Sequence, residues 1–585
     1  MAKYTTIELS INNKKLSDLS NKTQEEQIIL TAGNVVYIYR GSKSKKIYIG
    51  QTGHFIQRHA EHYSGAEEKF NTADFDKVLV IISQYFNRSA LDDVESQLIT
   101  YFIADCKKKR GQAIEYDTDI INRTAGNSVN NYAEKEKVAT EVILPVWQNE
   151  LYPKKWVATQ TIDQIRTEVL VKYSPIKELT PQQGALIKEI LNSPQKSFVI
   201  NGDAGTGKTV LLTHLVAKLL KDRPTARIGV IVQPNWEKTA VEIFKIYGMN
   251  NSLLTVLTST KLIKEKQRYD VIVVDESHKL SRKYGKQHPS FGEVYNISEF
   301  ADCNSHLEIL QKLGNQIVLM YDVLQAIRPA NVTREMFSAL TANYEKRFLT
   351  TQFRIQAQQG HNYTSDDYIN GIKYLLYKDT GLLSSSLTNY NPHFNRDVFR
   401  DKSVGAYFGY FTERPLYSLI DWLENDKNFH PEHVNRVLAG LVEDWRQKDG
   451  KDPLIKHWHE GDIHRRWNST QENWINSTDE DAEDQIGSVF AVQGIDLNKV
   501  GVLIGNDIEV QRDGTLKANP YNFFNVNGVF TDEEMRDPAN RFEFTLFVLN
   551  IYYVLLTRGI DGIRVGFWKN DEFRKYMEKT LEILI

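Results

Sequence analysis

Two cysteines in 585 residues, Cys106 and Cys303, leave no room for a disulfide framework. They stand far apart and match no zinc spacing, so they suit a reducing compartment as plain thiols. No apolar run approaches the roughly eighteen residues that a membrane-spanning helix needs. No amino-terminal stretch joins a basic segment to an apolar one and a small-residue cleavage site. Excess positive charge is missing too: 72 Lys and Arg against 75 Asp and Glu give a net charge of −3. That excludes a globally basic nucleic-acid binder but leaves local basic grooves open. Lys107-Lys108-Lys109-Arg110 is one such cluster, read more simply as solvated surface. Repeats and low-complexity tracts are lacking as well. These absences predict a cytoplasmic protein without a membrane partner, its oligomeric state left open.

What is present reads as an ordinary globular composition, 41% hydrophobic and 25% charged. The length exceeds one hydrophobic core, so three or four domains are expected. Val35–Tyr39 and Lys46–Gly50 read as a hairpin pair, Phe55–Tyr63 and Leu91–Ile103 as helices, Val78–Ser83 as a strand. Residues 130–180 are polar with scattered helical periodicity and read as a connector or small helical piece. From Pro181 onward apolar strands alternate with helical stretches, which predicts a parallel-sheet α/β architecture. Ile228–Val232, Val271–Val274, Ile317–Met320, Val500–Ile504 and Ile563–Phe567 are the expected buried strands.

The most specific signal follows the apolar run ending at Asn201. Gly202-Asp203-Ala204-Gly205-Thr206-Gly207-Lys208-Thr209 has the spacing of a phosphate-binding loop between a strand and a helix. Its glycines let backbone N–H groups close around a polyphosphate, and the helix amino terminus adds partial positive charge. Lys208 supplies a point charge and Thr209 a hydroxyl for Mg²⁺. A nucleoside triphosphate, ATP, is the expected ligand. Val271–Val274 then delivers Asp275 to the Mg²⁺ shell and Glu276 toward an attacking water. Gln316–Met320 ends in Tyr321-Asp322-Val323-Leu324-Gln325, where Asp322 and Gln325 can sense the outer phosphate.

In this order the motifs from about Leu179 to Trp568 resemble a superfamily 1 helicase core of the Schlafen-like group. The resemblance makes Gln183, in Leu179-Thr180-Pro181-Gln182-Gln183, the adenine contact. It makes Arg354, in Phe348–Arg354, a γ-phosphate contact, and Val489–Asp496 with Gly494 a further nucleotide-facing motif. It makes Arg558, in Tyr552–Gly559, an arginine finger. It also implies two RecA-like lobes that sandwich ATP and move on nucleic acid as they close and open. Trp445, Trp467 and Trp474 could stack on bases, with core packing the simpler reading.

Nearer the amino terminus, Tyr37 and Tyr48 lie on the proposed hairpin, Arg58 and His62 share a helix face, Glu95 sits on a later helix and Asn122 follows. Over residues 33–127 this set resembles a GIY-YIG nuclease, with Val35-Val36-Tyr37 in place of the usual Gly-Ile-Tyr. The resemblance implies a single-metal phosphodiester hydrolase. Glu95 would hold Mg²⁺ or Mn²⁺, Arg58 would steady charge, Tyr37 or Tyr48 would activate water with help from His62, and Asn122 would complete the site.

The expected organisation is a small mixed α/β GIY-YIG domain ahead of two parallel-sheet P-loop lobes with a helical or irregular insertion. Residues 1–32 would form an amino-terminal extension, 33–128 the nuclease domain, and 129–178 a connector. The first lobe would span 179–345 and the second 346–585, with the insertion at about 356–480. Together these imply an ATP-dependent nuclease-helicase acting on nucleic acid, DNA before RNA, in defence against phage or foreign DNA. Three alternatives stand beside it: a triphosphate-sensing switch that licenses the nuclease without translocation, a front module that binds without cutting, and an RNA-directed nuclease.

Overall fold

Alternation with period two opens the chain. In Tyr4–Asn12 (β1) every second residue, Ile7, Leu9 and Ile11, is buried. The computed structural model describes residues 3–584 apart from 65–69, 71, 106, 111–112, 117–118, 122–133, 163–164, 166–178, 235, 248, 250, 286–288, 352–354, 356–360, 432, 447–448, 450–451, 453, 469–483 and 493–496. The chain forms two compact units. One holds Met1–Ser193, Thr209–Ile228 and Pro234–Val256, the other Pro194–Lys208, Gly229–Gln233 and Leu257–Ile585.

In the first unit, Thr23 and Glu26 form a capping box that starts Gln24–Ala32 (α1). Val35–Arg40 (β2) and Lys46–Thr52 (β3) pair antiparallel as the sequence predicts. Phe55–Tyr63 (α2), Lys77–Ser83 (β4) and Arg88–Asp105 (α3) follow. The strands lie in the order Lys15–Leu16, β1, β4, β2, β3 and Asp119–Ile120.

One sequence expectation changes here. Residues 4–12 are no free extension, because β1 pairs with β4 along seven residues from Tyr4↔Ser83 to Ser10↔Lys77. The stretch after residue 134 takes the helical form the sequence left open. Lys135–Leu151 is helical and buries Val142, Val146 and Trp147, whose ring packs edge-on to Phe102. The Asp105 carboxylate accepts the Ala158 and Thr159 N–H groups at 2.6 and 2.8 Å. Pro181–Asn192 (α4) begins at a second capping box, between Thr180 and Gln183.

In the second unit, Phe198–Gly202 (β5) is buried throughout and leads into the phosphate loop; Lys208–Asp222 (α5) follows in the chain and belongs to the first unit from Thr209 on. Ile228–Ile231 (β6), Tyr269–Val274 (β7), Gly314–Tyr321 (β8), β5 and Glu345–Leu349 (β9) lie side by side as β6-β7-β8-β5-β9. The pairs β7/β8, β8/β5 and β5/β9 are parallel.

A second sheet follows Ser365–Tyr377 (α6). Phe408–Phe411 (β10), Pro415–Phe429 (α7), Arg436–Ala439 (β11), Leu497–Ile504 (β12), Pro538–Leu556 (α8) and Gly559–Phe567 (β13) build most of it. Its strands run β10-β13-β12-β11, then Gln485–Gly487, Ile463–Trp467 and Trp458–Glu460. Residues 356–480 therefore do not form one insertion: β10 and β11 belong to this sheet, paired parallel with β13 and β12. Helix α8 is buried on all sides from Phe544 to Leu556, so it carries no amphipathic period. Among the described residues no helix is long and apolar enough to cross a membrane.

Candidate active sites

The β2–β3 register sets Tyr37 opposite Gly50 and Tyr39 opposite Tyr48. A Cβ at position 50 would lie 2.5 Å from the Tyr37 hydroxyl, so the glycine of Tyr48-Ile49-Gly50 is what lets that ring cross the neighbouring strand. Helix α2 brings Arg58 and His62 to the same place. The Tyr37 hydroxyl is 3.0 Å from His62 Nε2, and the His62 ring stacks on Phe70 at 4.1 Å between centroids.

Arg58 hydrogen-bonds both the Tyr37 hydroxyl and the Glu61 carboxylate, the latter at 3.2 Å. A guanidinium only donates, so the Tyr37 oxygen accepts there and its O–H is left to donate to His62 Nε2. Burial pushes the Tyr37 phenol well above its usual range and Tyr48 adds to this, while Arg58 opposes both.

Glu95, on α3, completes the cluster. Burial first and Asp92 second push its carboxyl up to about 7, with Arg58 pulling the other way. Asp92 lies one helical turn earlier and accepts from Gln51 Nε2 at 3.1 Å. Tyr37, Tyr48, Arg58, His62 and Glu95 thus act on one another within this cluster. Asn122 lies outside the described residues. The sequence reading missed Asp92, whose i, i+3 spacing to Glu95 was the available signal. It also missed a parallel pair, in which Tyr39 donates to His59 Nδ1 at 2.8 Å while His59 Nε2 meets the Lys14 carbonyl at 3.2 Å. Among the described residues no group of three or more His, Cys, Asp or Glu gathers as a metal site.

The second centre is built on β5. Gly205 and Gly207 take positive φ, 86° and 79°, where a side chain would strain the loop. Lys208 is 6% exposed; its Nζ donates to the Gly202 carbonyl and, at 3.0 Å, to the Asp203 carbonyl. It also stands 3.7 Å from Asp322. Asp322 accepts Gln325 Nε2 at 2.7 Å, and Gln325 Oε1 accepts Arg558 Nη2 at 3.2 Å. A polar chain thus runs from the loop lysine on the first sheet to the predicted arginine finger beside the second. Arg558 is 1% exposed and also donates from Nε to the Val554 carbonyl.

Asp275 is buried at the end of β7, its N–H bonded to Ile231 at 2.9 Å. Glu276 sits at φ 49°, a left-handed conformation that a non-glycine residue adopts at a cost. Burial would raise its carboxyl, but Lys279, His278 and Lys208 hold it well below the usual range. His278 Nε2 is 3.0 Å away. For Asp322 burial wins over Lys208, and its carboxyl is raised. A small cavity of about 10 Å³, room for roughly one water, lies beside Asp203 and Asp322. Asn201 lines it, its buried side-chain amide without a hydrogen-bond partner, which marks the cavity as a place for a polar group.

Ala204 and Thr206 are buried in the loop, and Thr206 Oγ1 donates to the Asp203 carbonyl at 2.9 Å. Thr209 follows directly on Lys208 in α5. Gln183 is engaged in its capping box, its Oε1 accepting the Thr180 N–H at 3.1 Å. Arg354, Gly494 and Trp474 lie outside the described residues. Trp467 is a core residue, packed against Trp458 at 5.2 Å.

Comparison with known proteins gives two family matches. The model of the Schlafen group 3, DNA/RNA helicase domain matches residues 195–569. The model of the GIY-YIG catalytic domain matches residues 33–109. An uncharacterised protein of Saccharomyces cerevisiae is 26% identical over 398 residues, covering 63% of this chain and 81% of the yeast protein. Among solved structures, the helicase MrfA bound to DNA and AMPPNP aligns at a TM-score of 0.31 with 10% identity. That alignment covers 72% of this chain and 52% of MrfA, so the chain spans about half of MrfA's length. The Hef helicase domain of Pyrococcus furiosus aligns at 0.30 with 10% identity, covering 68% of this chain and 97% of that domain.

Proposed function

This chain belongs to the Schlafen group 3 DNA/RNA helicase family and carries a GIY-YIG catalytic domain ahead of its helicase domain; from that premise we propose an ATP-fuelled enzyme that moves on nucleic acid and cuts it. The observation that carries the ATPase half is the chain Lys208–Asp322–Gln325–Arg558. An arginine supplied from beside a second sheet stabilises charge on a transferring phosphoryl group only when the two sheets close on it. Gln325 already joins that arginine to the loop lysine through Asp322. Lys208 and the loop N–H groups would cradle the triphosphate, Asp275 and Thr209 would hold Mg²⁺, and Glu276 would orient the attacking water.

In the nuclease centre a water attacks phosphorus, the bond to the leaving oxygen breaks, and that oxygen takes up a proton from solvent. Tyr37 takes the proton of the water as its own O–H proton passes to His62 Nε2. Arg58 faces the Tyr37 oxygen and steadies negative charge there and on the phosphate. Glu95 suits a hard divalent cation, since burial and Asp92 leave its carboxyl short of positive charge. Mg²⁺ or Mn²⁺ held there would supply Lewis acidity at the scissile phosphate.

We favour DNA over RNA, a cytoplasmic location and a role in defence against foreign DNA. The test incubates purified protein with labelled linear, branched and single-stranded DNA and RNA, varying ATP and Mg²⁺. ATP hydrolysis stimulated by nucleic acid, with strand separation, supports the motor. Hydrolysis indifferent to nucleic acid, with no separation, supports a triphosphate switch that licenses the nuclease. Binding without cutting by the wild type, under every metal and substrate tried, rejects the nuclease. Phage plating on bacteria expressing the wild type or Glu95→Ala tests defence, and equal plating counts against it.

A further inference from the structure

A loop that receives a polyphosphate works through positive charge and N–H groups, yet this one carries a carboxylate at its second position. Asp203 also lies near two further acids, Asp322 and Asp366, whose ionisation it opposes. Two helices answer that charge. Lys373 of α6 is 1% exposed, and its Nζ lies 2.7 Å from Asp203 Oδ2 while also donating to the Asn389 carbonyl. Tyr553 of α8 is wholly buried and donates to Asp203 Oδ1 at 3.2 Å. Both carboxylate oxygens are therefore taken up by side chains from outside the loop.

The same two helices also meet the segment after β8. Tyr377 of α6 donates to Asn550 Oδ1 at 2.7 Å, and the Asn550 amide donates to the Val323 and Ala326 carbonyls at 3.1 and 2.6 Å. Those carbonyls flank Gln325, the partner of Arg558. Helices α6 and α8 thus tie the phosphate loop to the segment that reaches the arginine.

We propose that Lys373 and Tyr553 are positioning residues for triphosphate hydrolysis: by neutralising and anchoring Asp203 they keep its negative charge from repelling the incoming polyphosphate. This rests on the ATPase reading above. Lys373 acts through Asp203 and touches no reacting atom. Its loss weakens nucleotide binding more than turnover, and removing the Asp203 charge at the same time restores binding.

The test is steady-state ATP hydrolysis by the full chain with single-stranded DNA. It compares wild type, Lys208→Ala, Lys373→Met, Tyr553→Phe and the double variant Asp203→Asn/Lys373→Met. Lys373→Met is expected to raise KM for ATP about tenfold with kcat changed less than about threefold, and Tyr553→Phe to raise KM about threefold. The double variant is expected to return KM to within about threefold of wild type, which a purely structural lysine would not do. Melting curves check folding; if Lys373→Met does not fold, Tyr553→Phe and the double variant decide.

A wild-type KM in Tyr553→Phe and in any folded Lys373→Met overturns the proposal, provided Lys208→Ala is inactive. So does a double variant as impaired as, or more impaired than, Lys373→Met. Wild-type hydrolysis no faster than Lys208→Ala instead rejects the ATPase reading, and the proposal falls with it.

Discussion

The two centres of this chain solve opposite electrostatic problems. The triphosphate centre is crowded with ionic side chains, and most of them face an opposite charge. Lys208 faces Asp322, Lys373 faces Asp203, Glu276 is held between His278 and Lys279, and Arg558 reaches Gln325. The nuclease centre has few charges and much aromatic surface. Its rings fix its geometry, and Glu95, half-buried on α3, is left under-compensated at about 7. A loop that must close on a polyanion needs its own charges balanced beforehand. A centre that must capture a cation gains from a carboxylate short of positive charge.

Reciprocal inactivation is the sharpest way to break that contrast. Glu95→Ala should lose cutting by about a thousandfold or more while ATP hydrolysis is spared, measured on labelled DNA and by phosphate release. Lys208→Ala should do the reverse to ATP hydrolysis, by about 10²–10³-fold in kcat. One variant that abolished both would mean the centres are not separate engines.

Tyr37→Phe comes next, with cutting down about a hundredfold in single-turnover assays and the cation requirement unchanged. Equal rates would move the general base to Tyr48.

The pH dependence tests the under-compensated acid. Glu95 is raised from 4.5 to about 7. The neutral carboxyl therefore contributes stability that is full below about 4.5 and is lost as pH rises through about 7. Cation-free protein should melt at lower temperature across that window, seen by scanning calorimetry. Cutting should rise over the same window, because only the carboxylate binds the cation. Asp92→Asn removes the second cause of the shift and should move that rise to lower pH.

The smallest effect is steric. Gly50→Ala should destabilise the first unit by about 1–3 kcal/mol in denaturant titrations, as the Tyr37 ring is forced from its place over β3.

Legibility followed chain distance. The phosphate loop, the acids after β7 and Asp322 with Gln325 are contiguous motifs, so their residue order announces their chemistry. The hairpin, α2 and α3 were readable from period alone, and the structure reproduces them within a few residues. β1 carried a clear alternation at Ile7, Leu9 and Ile11, but nothing local told which strand it would join. Residues 356–480 hid β10 and β11 because each is only four residues long, too short for a period to stand out.

Residue order alone was enough to specify the spacing of a phosphate loop and the two families the chain matches, because such motifs need particular side chains at short fixed spacings. Folding in three dimensions chose the partners. It set Asp92 beside Glu95, Lys373 on Asp203 and Gln325 between Asp322 and Arg558, since a buried charge selects its counter-group by distance in space and is blind to separation along the chain.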